Sequence, residues 1–249
     1  MIPDLRWLER TELLIGTTEL ERLVQKNVLI VGMGGVGSYA AEFICRAGVG
    51  ALTIVDGDTI DVTNKNRQLP ALSSTVGKGK AALMAERLLD INPQLRLNVV
   101  DRFQKPDDTD QLVKEGNFDY VMDCIDSISP KLFLIQAALK HGVPIISSMG
   151  AGGKTDPWKM KVGDISKTSV CPFARNLRKR LRKMGIRKGV KTIYSTAPVV
   201  DESLKLTDGS NYKKSFYGTI SFIPPMFGLL MSAEVINTLR QEKPASFSS

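Results

Sequence analysis

Cysteine and histidine are scarce in this chain. Its three cysteines, Cys45, Cys124 and Cys171, lie far apart, so they form neither a disulfide framework nor a zinc site of two CxxC pairs. The chain therefore reads as cytoplasmic. The one histidine, His141, leaves no pattern for serine-triad hydrolysis. Long apolar runs are missing as well. The opening residues, MIPDLRWLERTE, carry acids early and no apolar core segment, unlike a secretory signal. The most apolar stretch, Thr219 to Leu239, is apolar mainly in its first half and contains Pro224 and Pro225. It reads as a buried helix from Pro225 packed across a sheet, and stable membrane insertion is not expected.

Charge of one sign is present but unevenly spread. The 249 residues hold 34 lysines and arginines against 26 aspartates and glutamates, a net charge of +8. Nine of those cations fall between Arg175 and Lys191, with no acid among them; 34 less nine leaves 25, against 26 acids elsewhere. The whole excess lies in one segment. Leu177, Leu181 and Met184 recur at helical spacing within it, so Ser169 to Lys188 reads as a helix broken at Gly185, seated by its leucines with the cations outward. Arg175, Arg178, Lys179, Arg180, Arg182, Lys183, Arg187 and Lys188 become candidate contacts to a polyanion. Nucleic acid fits better than an anionic membrane, because the apolar stripe is narrow. Cys171, just before this helix, is either a packing residue or a thiol beside a helix N-terminus.

The rest of the chain is organised around Asn27 to Arg67. Val28 to Val31 reads as a buried strand, and Gly32, Gly34, Gly35 and Gly37 follow it at the spacing of a dinucleotide-binding turn. Glycine lets the backbone turn tightly, approach phosphates, and bring the helix from Val36 to Ala47 close to the strand. Such a loop also serves as a plain packing turn. A second strand, Ala51 to Val55, strengthens the nucleotide reading by ending in Asp56, about 20 residues past the loop, where a carboxylate can hold a ribose.

Downstream, alternating elements give an α/β fold: a doubly wound, Rossmann-like, mainly parallel sheet with a basic C-terminal extension. Helices are expected at Thr75 to Ile91, Pro106 to Glu115 and Ser127 to Lys140. Strands are expected at Leu95 to Val100, Phe118 to Met122 and Val143 to Ser147, with a further one at Lys159 to Ile165. Before the core, Trp7 to Lys26 is helical with a break near Gly16, whereas Tyr194 to Lys214 reads as polar loop. The glycine-rich loop Ser148 to Pro157 either wraps a ligand or stays unliganded.

The run DGDTIDVTNKNRQLPALSSTVGKGKAALMAERLLDINP, with DCIDS at Asp123 to Ser127, resembles the ubiquitin-activating superfamily of ATP-dependent adenylating enzymes. The resemblance covers most of the chain. It implies that Asp56 holds the ribose, with Asp58 in the same nucleotide-binding set, that Asn64, Arg67 and Lys80 grip the ATP phosphates, and that Asp126 holds magnesium. Taken singly, Lys80 reads as a solvated helix residue and Asn64 as a turn former. Arg10, with Arg6 as a rival, matches an arginine that reaches the phosphates, often from the other subunit of a homodimer. The resemblance also leans towards a sodium or potassium ion at the Gly150 to Gly153 loop and leaves room for a sulfur-relay accessory protein.

DVTNKNRQLPAL together with MGAGGKTDP, DISKT and the basic LRKRLRKMGIRKGVK most resembles the branch that dehydrates threonylcarbamoyladenosine in tRNA. The expected organisation is then a single adenylating domain over 1–249, with a helical segment at 1–26, a nucleotide core at 27–148, a substrate and tRNA extension with the last helix at 149–241, and a tail at 242–249. Adenylation of a ubiquitin-like sulfur carrier is the rival reading. A nucleotide- and RNA-binding sensor without turnover is the reading of another class.

Overall fold

The computed structural model describes residues 5–206 and 215–241. Seven strands, β1 (Asn27–Val31), β2 (Ala51–Val55), β3 (Arg96–Val100), β4 (Tyr120–Asp123), β5 (Ile145–Ser148), β6 (Met160–Asp164) and β7 (Lys191–Ser195), form one sheet in the order β3-β2-β1-β4-β5-β7-β6. Every neighbouring pair is parallel except β6 with β7, where Met160 faces Ser195 and Asp164 faces Lys191. A parallel sheet needs cover on both faces, and β1 supplies apolar residues to each. Val28 and Ile30 join a core with Leu23, Ile44, Met84, Phe227 and Met231. Leu29 enters the opposite core with Val121, Leu134, Ile135, Leu177 and Leu181.

Helices α1 (Glu9–Ile15) and α2 (Thr17–Val24) precede the sheet; α3 (Gly37–Arg46), α4 (Lys80–Ile91), α5 (Pro106–Glu115), α6 (Ile128–Lys140), α7 (Pro172–Lys183) and α8 (Ile223–Arg240) follow in turn. Core residues of α3, α4 and α8 lie in the first cluster, and those of α5, α6 and α7 in the second. A small antiparallel pair, β8 (Leu204–Leu206) and β9 (Ser215–Tyr217), stands apart. No helix among the described residues is long and apolar enough to cross a membrane.

The chain past residue 148 adds β6 and β7 to the main sheet, and the basic helix α7 lies between those two strands in chain order. The strand β7 takes in Tyr194 and Ser195, the first two residues of the expected polar loop, and β8 lies inside that loop. The polar side chains of β7 are satisfied: the Thr192 hydroxyl donates to the Gly163 carbonyl at 2.8 Å, and the Ser195 hydroxyl accepts from the Ala197 N–H at 3.1 Å. The helix expected from Thr75 begins at Lys80. Gly77 is in the left-handed region at φ 85°, and the preceding residues pair with 58–60: Ile60 N–H donates to Lys78 O and Gly77 N–H to Ile60 O, each at 2.8 Å. In contrast, α8 starts at Ile223, two residues before the expected Pro225, with Pro224 and Pro225 in its first turn where an N–H has no helical acceptor. The expected tail 242–249 and residues 207–214 of the expected loop lie outside the described residues.

One close approach sets the mouth of the sheet. A Cβ at Gly37 would sit 1.7 Å from the Gly32 carbonyl oxygen and 3.0 Å from Cys124 Cβ. Gly37→Ala is therefore expected to lower stability by about 3 kcal/mol, a melting-point fall of roughly 6–12 °C for a chain of this size. Thermal denaturation followed by circular dichroism measures this, and an unchanged melt would contradict the packing.

Candidate active site

The strand order reverses between β1 and β4, and open α/β sheets bind ligands at the carboxyl ends of the strands beside such a reversal. Two loops meet there. Gly32 has φ 96°, and a Cβ on it would lie 2.9 Å from the Cys124 carbonyl oxygen. The glycine loop after β1 thus lies directly against the turn after β4 that carries Asp126. From β2, the Asp56 carboxylate accepts the Met33 N–H at 2.6 Å and the Asp58 N–H at 2.8 Å. Burial raises its pKa, against the pull of the Lys80 charge and these N–H groups. Asp56 consequently fastens the glycine loop to the end of β2.

Lys80 is not the solvated helix residue that its position in the sequence alone suggests: it is 5% exposed. Its backbone N–H donates to Asp58 O at 2.9 Å, and its ammonium lies 3.0 Å from Asp58 Oδ2. Pairing of the 58–60 segment with 77–80 therefore sets both residues beside Asp56. Arg67 donates to Thr63 O at 3.0 Å and Asn66 Oδ1 at 2.9 Å. Burial lowers the pKa of its guanidinium while the Asp126 charge opposes that, so these two side chains feel one another. A Cβ at Gly35 would be 3.3 Å from Arg67 Cγ, which places the arginine stem against the glycine loop.

Asn64 adopts the turn-forming role. Its Oδ1 accepts the Asp61 N–H at 3.2 Å, and its carbonyl accepts the N–H groups of Arg67 and Gln68 at 3.1 and 3.0 Å. Its side chain thus closes the turn from Asp61, and its backbone carbonyl holds the stretch that carries Arg67. Gln68 is a residue that sequence reasoning misses. It is buried, its Oε1 has no protein partner, and its amide nitrogen lies 3.7 Å from where a Gly34 Cβ would be. The only sequence signal is its place after Arg67 in TNKNRQ.

Arg10 is not brought to this edge within one chain. It is exposed on α1, and Leu8 just before that helix packs on Gly48 past the far end of α3. That is the amino edge of the sheet. Cys171 is buried in the second core, where it acts as packing.

Helix α7 begins at the same carboxyl edge, since a Cβ at Gly150, just past β5, would lie 3.1 Å from Phe173 Cβ. Ala174, Leu177 and Leu181 bury one side, and Arg175, Lys179, Arg180, Arg182 and Lys183 are exposed, as are Arg187 and Lys188 beyond the helix. Arg178 departs from the expected set. It is half-buried and donates to Thr168 O at 2.7 Å and to the Thr168 hydroxyl, tying α7 to the turn before it. Arg178→Met is expected to cost about 1–3 kcal/mol through the orphaned Thr168 acceptors, measurable as a lowered denaturant midpoint.

A glycine loop, a half-buried acid just past the second strand and two cations, each beside a carboxylate, at the reversal of a parallel sheet define a nucleotide-binding protein of the doubly wound α/β class. The chain belongs to the ThiF family, whose family model matches residues 8–249. It is 41% identical over 245 residues to tRNA threonylcarbamoyladenosine dehydratase of Bacillus subtilis, covering 96% of each chain. Crystal structures of Escherichia coli tRNA N6-threonylcarbamoyladenosine dehydratase align with it at a TM-score of 0.85. The AMP complex is 36% identical and covers 94% of both chains. The ATP complex is 35% identical, covering 96% of this chain and 97% of that one.

Proposed function

We propose that this chain uses ATP to activate the threonine carboxylate of threonylcarbamoyladenosine in tRNA and closes it into a ring, with net loss of water. The observation that carries this reading is the gathering of Asp56, Lys80, Arg67 and Asp126 at one sheet edge from which the cationic helix α7 also starts. The substrate carboxylate attacks the α-phosphate of ATP and pyrophosphate leaves. The substrate's own ureido group then attacks the acyl-adenylate carbonyl, loses a proton, and expels AMP. AMP retains the carboxylate oxygen, so water is lost overall without being released as such.

A carboxylate is a poor electrophile, and adenylation supplies the leaving group. The protein's task is to align two anions and offset their repulsion. Arg67 and Lys80 are fixed cations for the phosphates, and Asp56 accepts from the ribose hydroxyls. Asp126 is an oxygen donor suited to magnesium, which binds through one or two carboxylates plus substrate phosphates. When bound, the ion adds positive charge to the phosphates. A sodium or potassium ion at the Gly150–Gly153 loop remains part of this reading; there the Gly153 carbonyl accepts from Val200 N–H at 2.8 Å, and the ammonium of the adjacent Lys154, 3% exposed, donates to Ala197 O at 2.8 Å.

A second copy completes the site in this reading. Helix α1 buries none of its residues, and Leu13 and Leu14 are 82% and 85% exposed beside Arg10. In this reading Arg10 of the partner subunit, not this chain's own, reaches the phosphates. A sulfur-relay partner enters no step.

Incubation with ATP, magnesium and tRNA bearing threonylcarbamoyladenosine, followed by mass spectrometry of the nucleosides, should show the modified base lighter by one water, with equimolar AMP. Pyrophosphate exchange stimulated only by a ubiquitin-like carrier would favour the rival adenylation instead.

A further inference from the structure

A second charged group lies under the site, in the interior. Asp123, Lys131 and Ser147 are each 0% exposed. The Lys131 ammonium donates to Asp123 Oδ2 at 2.8 Å and to the Ser147 hydroxyl oxygen at 3.1 Å, while that hydroxyl donates to Asp123 Oδ2 at 2.6 Å. The other carboxylate oxygen, Oδ1, accepts the Ile125 N–H at 3.1 Å. Phe173 of α7 covers the ammonium, its ring centroid 5.9 Å away.

A buried ion pair is costly to desolvate and is by itself weak evidence for stability; one well-attested use is to specify a single arrangement. Here that arrangement has a definite content. Asp123 ends β4, Lys131 lies in the opening turns of α6, and Ser147 belongs to the next strand β5. The residues between the ion-pair partners include the turn that presents Asp126. Through Oδ1 the same carboxylate holds the backbone of that turn one residue before Asp126. The Cys124 carbonyl on the turn also abuts Gly32, so its position sets the width of the phosphate mouth.

We infer that Asp123 and Lys131, bridged by Ser147, are positioning residues that hold the β4–α6 turn so that Asp126 faces the metal–triphosphate complex. This rests on the magnesium role proposed above for Asp126. Neither residue touches substrate. Their effect reaches the ligand only through the geometry of the turn, and it concerns the metal-bearing nucleotide more than the nucleotide alone.

The test removes both charges and the Oδ1 acceptor together, Asp123→Ala with Lys131→Met, so that no unpaired charge is left buried. Thermal denaturation first establishes that the variant folds. ATP affinity is then measured by calorimetry with and without magnesium, alongside hydrogen exchange of the Ile125 amide in the nucleotide-free protein. Metal-free ATP affinity should stay within about twofold of wild type, the strengthening produced by magnesium should fall about tenfold, the scale of one missing hydrogen bond, and the Ile125 amide should exchange faster. A folded double variant that keeps the full magnesium effect overturns the inference. If the double variant fails to fold, Ser147→Ala decides: it should shift the magnesium effect the same way by about threefold, and no shift overturns the inference. Asp126→Ala is run in parallel. Its retaining the magnesium effect would instead remove the reading of Asp126 itself.

Discussion

Replacing Asp126 with alanine should reduce AMP formation by about a hundredfold to a thousandfold, the usual consequence of removing one preorganised electrostatic group at a reacting centre. The side chain is exposed just past the end of β4, on a turn packed against the glycine loop and within electrostatic reach of Arg67. Its loss removes the oxygen donor proposed for magnesium and deprives the Arg67 guanidinium of the charge that opposes its desolvation. The fold should hold, because Asp123 anchors the turn. Binding of tRNA should stay near wild type, since α7 is untouched. The check is a rate of AMP release beside a tRNA-binding isotherm. Full activity in the variant would remove Asp126 from the proposed site.

Arg180, Arg182 and Lys183 together should carry a large share of tRNA affinity. All three are exposed on α7, and no acid lies between Arg175 and Lys191 to neutralise them. For every phosphate that a cation no longer neutralises, the slope of log affinity against log salt should become shallower by about 0.7–0.9. Changing all three to glutamine should therefore flatten the slope by roughly 2 to 3 and weaken binding at least tenfold at physiological salt. ATP affinity should be unaltered, since the glycine loop, Asp56 and Lys80 belong to other elements. Arg178 is left out of this set because its bonds to Thr168 would confuse weakened binding with weakened folding. An unchanged salt slope would reassign α7 to another partner.

Much of the site is legible in the sequence because its signals are local. Gly32 to Gly37 are dictated by the sterics of one turn, Asp56 by the end of one strand, and the α7 cations by a charge count. The strands β1 and β2 lie within one residue of their expected bounds, since an apolar β-branched run between turns has few alternatives. Even Pro106 starting α5 and the break at Gly16 follow from the backbone limits of single residues.

What local pattern could not supply was pairing between distant residues. Lys80 reads as a surface lysine until the 58–60 segment pairs with 77–80 and buries it beside Asp58. Asn64 and Gln68 look alike as polar turn residues, yet one caps a turn and the other turns a bare amide oxygen into the protein. The addition of β6 and β7 to the sheet, the tie of Arg178 to Thr168, the distance of Arg10 from the site within one chain, and the Asp123–Lys131 pair all depend on which segments touch. By itself, the sequence determined which backbone shapes and charges were available, because those are properties of neighbouring residues. Only the tertiary structure decided which charges lose their water and which partner each then finds, because desolvation depends on everything packed around a group.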